Sequence, residues 1–138
     1  MKTIDVFRGK HFFLSNFYIT KVKYRGQIYM SVEHAFQAAK TLNKRERIQI
    51  GAAATPGKAK ALGRKVKLRK DWELIKDDIM LTLLRSKFDD AELKQLLLKT
   101  GDCKLVEGNH WGDIYWGICG GKGKNRLGVL LMQVRKEL

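Results

Sequence analysis

Three polar side chains in the stretch SVEHAFQAAK, residues 31–40, could act together: Glu33 and Lys40, which can exchange protons, and Gln37, which can hydrogen-bond beside them. At about 100° per residue they share one narrow arc of a helix. Glu33 and Lys40, seven positions apart, stand nearly in line and about 10 Å from each other along the axis. A carboxyl and an amine in this arrangement have the chemistry of an acid/base pair. The first exchanges a proton with a leaving group, and the second can add to an electrophilic carbon. Beside them Val32, Ala35, Phe36, Ala39 and Leu42 form an apolar arc expected in the core. The small Ala35, Ala38 and Ala39 permit close packing on that side, which would leave the polar arc at the rim of a cleft. The same spacing also describes a solvated face, and spacing alone does not establish a site.

A second group of candidates lies in LVEGNHWGDIYWGICGGKGKNRLG, residues 105–128. Trp111, Tyr115 and Trp116 stand among glycines with Glu107 and Asp113 between them. Tryptophans in such a setting suit stacking on a planar ligand while a carboxylate polarises something nearby. A tryptophan that merely anchors the loop to the core fits as well. GGKGKN, residues 120–125, then leads into a helix, so backbone N–H groups, Lys122, Lys124 and the helix dipole are expected to attract an anion. A mobile basic hairpin without a ligand is the alternative. A nucleotide-hydrolysing P-loop is excluded, because its first glycine and its Ser or Thr are missing at the required spacing.

Other chemistries find no support. There is no Gly-x-Ser-x-Gly elbow, and His11, His34 and His110 have no partner spacing. Cys103 and Cys119 lack metal-ligand spacing and read as reduced, structural thiols of a cytoplasmic protein. No metal is expected. No apolar run approaches the roughly 20 residues that span a bilayer, and the N-terminus does not read as a signal peptide. The 28 Lys and Arg against 14 Asp and Glu give a net charge of +14, which points to a polyanionic partner, nucleic acid or a phosphate-bearing ligand. A solvated basic surface is the plainer reading.

The elements that must position these residues follow from caps and periodicity. A hairpin is expected over 21–30, turning at Arg25-Gly26. Ser31 caps a helix over 32–43, a second covers 44–51, and Thr55-Pro56 opens a third over 56–65. Asp71 caps a longer helix to about 88, and Asp89 or Asp90 starts another that stops at Thr100-Gly101. A short strand is expected over 114–118, and Asn125 caps a C-terminal helix to about 136. The whole, residues 1–138, reads as one compact α+β domain, mostly helical with a few short β-strands.

Five pieces in order carry a resemblance over nearly the full length: FLSNFY (13–18), SVEHAFQAAK (31–40), RKDW with the helix after it (69–88), LLLKTGDCKLVEGN (96–109), and DIYWG with GKGKNRLGVLLMQVR (113–135). Together they resemble the NADAR (YbiA-like) family of N-glycosidases. The resemblance implies a YbiA-like fold and a cofactor-free cleavage of ribose from an exocyclic amine. It further implies one of two substrates: phosphorylated ribosylamino-pyrimidine intermediates of riboflavin biosynthesis, or ADP-ribose on the amino group of guanine in nucleic acid. It makes Glu33, Lys40 and Asp113 the expected catalytic residues, and Asn16, Trp72, Trp116, Asn125, Lys122 and Lys124 the expected substrate contacts. Trp111 has no firm counterpart in the motif. Glu33 is expected as principal acid/base, Lys40 as imine-forming or leaving-group-assisting amine, and Asp113 at the ribose or its developing charge. Trp72 and Trp116 would sandwich the base or adenine, while Asn16, Lys122, Lys124 and Asn125 would hold phosphate. The excess positive charge favours the nucleic-acid substrate. The rivals are a non-catalytic nucleic-acid-binding module and a small ADP-ribose sensor.

Overall fold

The computed structural model describes residues 2–138. In chain order the elements are β1 (Thr3–Ile4), a 3-10 helix (Gly9–Leu14), β2 (Val22–Tyr24), β3 (Gln27–Tyr29), α1 (Val32–Ala39), α2 (Lys44–Gly51), α3 (Pro56–Gly63), α4 (Trp72–Lys87), α5 (Ala91–Lys99), β4 (Lys104–Leu105), β5 (Gly108–Asn109), β6 (Ile118–Cys119) and α6 (Arg126–Glu137). Helices dominate and the strands are short, as the α+β reading expects. Contacts divide the chain into two compact units, residues 16–87 and residues 1–15 with 88–138.

In the first unit α1 is the centre, with α2, α3 and α4 packed on it. The side-chain hydroxyl of Ser31 accepts the N–H of His34 at 3.1 Å and so starts the helix. Thr55 and Pro56 start α3 in the same way, Thr55 Oγ1 accepting from the N–H of Lys58. Every residue of α1 is buried, which only small residues at Ala35, Ala38 and Ala39 allow with three helices close by. His34 is structural: its ring bridges Ser31 Oγ at 2.7 Å and the carbonyl of Ala53 at 2.9 Å.

The first helix ends at Ala39 rather than near residue 43. Arg69 closes it, its backbone N–H donating to the Lys40 carbonyl at 2.9 Å and its guanidinium to that of Ala39 at 3.4 Å. Asn43 then turns the chain into α2 by accepting the N–H of Glu46. Leu42, expected on the apolar arc, is consequently exposed. Asp71, expected as a cap, has both carboxylate oxygens engaged by Arg69 at 2.7 and 3.2 Å. The hairpin forms as expected, with β2 antiparallel to β3 and Arg25 and Gly26 both at positive φ in the turn.

In the second unit β1 runs parallel to β4, pairing Thr3 with Lys104 and Ile4 with Leu105. β5 runs parallel to β6, pairing Gly108 with Ile118 and Asn109 with Cys119. The strand expected over 114–118 is therefore mostly loop, and only its last residue is in β6. Asp90 caps α5 through the N–H of Leu93 at 3.0 Å, and α6 packs on β4.

Candidate active site

The polar strip on α1 is buried. Glu33 is 7% exposed and Gln37 4%, so these two side chains do not form a solvated face. Gln37 Nε2 donates to Glu33 Oε2 at 2.7 Å, fixing the carboxyl in place. Burial pushes the Glu33 carboxyl above its usual range. The hydrogen bond from Gln37 and the charges of Lys60, Lys40 and His34 pull the other way. Lys40, just past the helix end, has its ammonium 6.0 Å from the ring centre of Phe36. Burial holds its amine below the usual range, the carboxylate of Glu33 opposes that, and Lys60 and Arg64 reinforce it. The acid is thus biased toward holding its proton and the amine toward losing one. That is the state in which the first can protonate a leaving group and the second can attack a carbon.

Around the pair stand groups from four segments of the same unit. Lys60 of α3 lies 6.0 Å over the Phe17 ring and raises the positive potential at both Glu33 and Lys40. Phe36 and Trp72 pack with ring centres 4.9 Å apart at 55°. Trp72, from which stacking on the base is expected, is only 6% exposed and packs its ring on Phe36. Asn16 accepts the N–H of Glu33 through its backbone carbonyl at 3.0 Å, which seats the start of α1. Its side chain donates to Met80 Sδ at 3.6 Å and leaves Oδ1 buried without a partner in the protein. A buried acceptor wants a donor, so Asn16 Oδ1, of the side chain from which a phosphate contact is expected, is left with an unmet hydrogen bond. Gln37 Oε1 is also buried and unpartnered, lying where a Cβ on Gly63 would stand.

The candidates of the other unit have largely architectural contacts. Asp113 Oδ1 accepts the N–H of Tyr115 at 3.1 Å and of Trp116 at 2.9 Å, forming the turn. Its own backbone is clamped by Asn109, which accepts its N–H at 3.0 Å and donates to its carbonyl at 2.9 Å. Asn125 occupies the helix-capping position with φ at 51°, yet its side chain does not cap α6. Instead its amide donates to the Leu105 carbonyl and accepts the N–H of Glu107, both at 2.9 Å. Both polar ends of the amide from which a phosphate contact is expected are so engaged. In GGKGKN, from which an anion cradle is expected, the N–H groups of Lys122, Lys124 and Asn125 donate to the carbonyls of Cys119, Ile114 and Gly117. The Lys122 and Lys124 side chains are exposed, with Lys124 5.5 Å over the Tyr115 ring, and Trp116 is half-buried and edge-on to Tyr115. Trp111 is largely exposed and meets His110 edge-on.

Sequence reasoning missed Lys60 and the positioning role of Gln37, and it also missed Lys87. That last side chain is completely buried over the Tyr18 ring at 5.6 Å, and burial lowers its amine to about 7. Helical spacing marked Gln37 as a neighbour of Glu33, but no local signal ties residue 60 to residue 33. Among the described residues no group of His, Cys, Asp and Glu could hold a metal ion, and no helix is long and apolar enough to cross a membrane.

Comparison with known proteins places this geometry. The model of the NADAR domain matches residues 6–138. N-glycosidase YbiA of Escherichia coli is 45% identical over 128 residues, covering 90% of this chain and 79% of the relative. N-glycosidase Npun_R5314 of Nostoc punctiforme is 42% identical over 131 residues, covering 90% and 83%. Riboflavin biosynthesis protein VVA0006 of Vibrio vulnificus is 38% identical over 132 residues, which are 93% of this chain and 36% of that longer protein. The solution structure of Escherichia coli YbiA superposes with a TM-score of 0.87 at 42% identity, covering 99% of this chain and 86% of that one. With its motif pieces, its fold and nearly its whole length in common with these proteins, the chain belongs to the NADAR domain family.

Proposed function

We propose that this hydrolase of N-glycosyl bonds removes ADP-ribose from the exocyclic amine of guanine in nucleic acid, with Glu33 as acid/base and Lys40 as the attacking amine. The observation that carries the reading is the buried Glu33, oriented by Gln37 and electrostatically coupled to a Lys40 whose amine is held below its usual range. The bond to be broken joins C1′ of ribose to an amino nitrogen. Opening of the sugar ring turns C1′ into an imine carbon. Lys40 adds its lone pair there, and Glu33 gives its proton to the departing base amine as the C1′–N bond breaks. The remaining Lys40 imine takes up water, which Glu33 deprotonates, and releases the sugar aldehyde with the amine restored. Asn16 Oδ1 is the acceptor assigned to a ribose hydroxyl. The net charge of +14 supports a polyanionic carrier over a small substrate.

A second substrate has its own support. The 38% identity with a riboflavin biosynthesis protein favours phosphorylated ribosylamino-pyrimidines, whose C1′–N bond is of the same kind. The deciding experiment offers both substrates side by side and measures released sugar. Release from the ADP-ribosylated oligonucleotide at least tenfold faster, per kcat/KM, sustains the proposal, and the reverse ratio overturns it. Binding without release from either substrate would return the chain to the class of binding modules.

A further inference from the structure

The positive charge is unevenly divided. Residues 16–87 hold 17 of the 28 Lys and Arg and 6 of the 14 acids, so +11 of the net +14 belongs to that unit. Part of it collects on the side of α1 that faces away from Glu33. Ala38 and Ala39, 140° and 240° around the helix from Glu33 by about 100° per residue, floor a cavity of about 570 Å³ between the β2–β3 hairpin and α2. Its walls include Tyr24, Tyr29, Arg25, Lys44 and Arg47, and no carboxylate lines it. Ile28 and Ile48, each 62% exposed, add apolar surface at its edge. A second hollow of about 380 Å³ opens on the other side of the hairpin, and Tyr24 and Arg25 line both. The turn holds this ridge in place. Arg25 and Gly26 have φ of 49° and 79°, and the Arg25 guanidinium lies 5.8 Å over the Tyr24 ring.

We propose that this groove is a docking track for single-stranded nucleic acid, separate from the Glu33 strip and lying behind it on α1. Cations beside tyrosine rings and exposed isoleucines match an alternation of phosphates, sugars and bases. Two hollows sharing one ridge match a chain better than one nucleotide. Asp78, which lines only the smaller hollow, places the stronger phosphate contacts on the α2 side. The track deepens the reading above, since nucleic acid is the carrier of the substrate proposed there. It would grip nucleotides flanking the modified one.

The test is fluorescence anisotropy of a labelled, unmodified single-stranded oligonucleotide across a salt series. The variant is Arg25→Asn with Lys44→Gln. Asn tolerates the positive φ of the turn and residue 44 is exposed, so the fold is retained. Lys99→Gln with Lys136→Gln removes the same charge from other exposed positions. The groove variant should bind at least tenfold more weakly, with the salt slope reduced by roughly 1.4 for two lost phosphate contacts. The control pair should stay within threefold of the unsubstituted protein. Equal weakening of the two pairs overturns the proposal, and so does an equal loss of AMP binding, which would assign the groove to a free nucleotide. With an oligonucleotide-linked substrate, KM should rise at unchanged kcat while a small soluble ribosylamine is cleaved as before. If the N-glycosidase reading itself fails, no protein releases sugar, yet the difference in oligonucleotide affinity persists.

Discussion

The strip on α1 and the loop over residues 107–125 both join a carboxylate to aromatic rings, and they put that carboxylate to opposite uses. Asp113 in the loop gives one oxygen to two backbone N–H groups and thereby shapes the turn that carries Trp116. Glu33 meets no backbone donor through its side chain among the described residues. It is buried, touches one side-chain amide and sits in the field of several cations. A carboxylate bonded to backbone N–H groups is stabilised as an anion and tied to architecture. A buried carboxyl with a single neutral donor stays poised to give up or take back a proton. Both regions set a carboxylate among aromatic rings, so the contrast lies in where the hydrogen bonds go.

Substitution should expose that contrast most strongly at Glu33. Glu33→Gln is expected to lower kcat by about 10³-fold or more, within the usual range for a general acid/base, while the melting temperature holds or rises because a buried ionisable group is gone. Near-normal turnover would remove Glu33 from the chemistry. Lys40→Ala should cost about 10²-fold or more. It should also abolish a covalent adduct that borohydride traps during turnover of the unsubstituted protein, as read by intact-protein mass. An adduct that survives in Lys40→Ala would place the imine on another lysine.

The pH profile sharpens the same comparison. A step that needs protonated Glu33 and neutral Lys40 gives a bell-shaped kcat/KM. Protonation of Lys40 removes the neutral amine as pH falls and ionisation of Glu33 removes the acid as pH rises, so both limbs should lie between the ordinary carboxylate value of 4.5 and the ordinary amine value of 10.5. Since the Gln37 hydrogen bond lowers the Glu33 pKa, Gln37→Leu should move the limb set by Glu33 to higher pH and leave the limb set by Lys40 nearly in place. A profile in which neither limb moves would show that Gln37 does not set Glu33.

Asp113→Asn is the control on the other side. Asn keeps an oxygen for the N–H groups of Tyr115 and Trp116, so activity is expected within tenfold of normal, whereas Asp113→Ala should lose about 1 kcal/mol of stability as a lost cap would. A stable Asp113→Asn protein without turnover would break the comparison and make Asp113 chemical. Turnover should change least at Lys87, whose amine is lowered to about 7 by burial from the ordinary 10.5. The unfolded chain holds more protons than the folded one between those values, so stability rises with pH across about 7 to 10.5. In Lys87→Met that rise should flatten, as seen in melting temperatures measured across the range.

The legible parts of the fold are those with local stop and start signals. Ser31, Thr55-Pro56 and Asp90 marked helix starts because their side chains accept N–H groups within three residues. The hairpin turn was legible because Arg25-Gly26 takes positive φ. The end of α1 was not, since its terminator is Arg69, thirty positions downstream of Ala39. Nor was the pairing of β1 with β4, two residues joined to two others across a hundred positions with no periodicity to read. In the site, Glu33 and Lys40 could be picked out by type and spacing, but a solvated strip has the same spacing as a buried one. Only the packing of α2, α3 and α4 decides between them. The composition of GGKGKN suits an anion, but composition does not reveal that the Asn125 side chain and the N–H groups of Lys122, Lys124 and Asn125 are bonded within the chain.

Gly63 has no functional group, and yet it governs the Glu33–Gln37 pair. The carbonyl end of Gln37 fills the volume a methyl would need there, and the amide end of the same side chain holds the Glu33 carboxyl. Any side chain added at residue 63 would displace Gln37 and let the Glu33 carboxyl swing free, so the orientation of that carboxyl is kept by an empty place on a neighbouring helix.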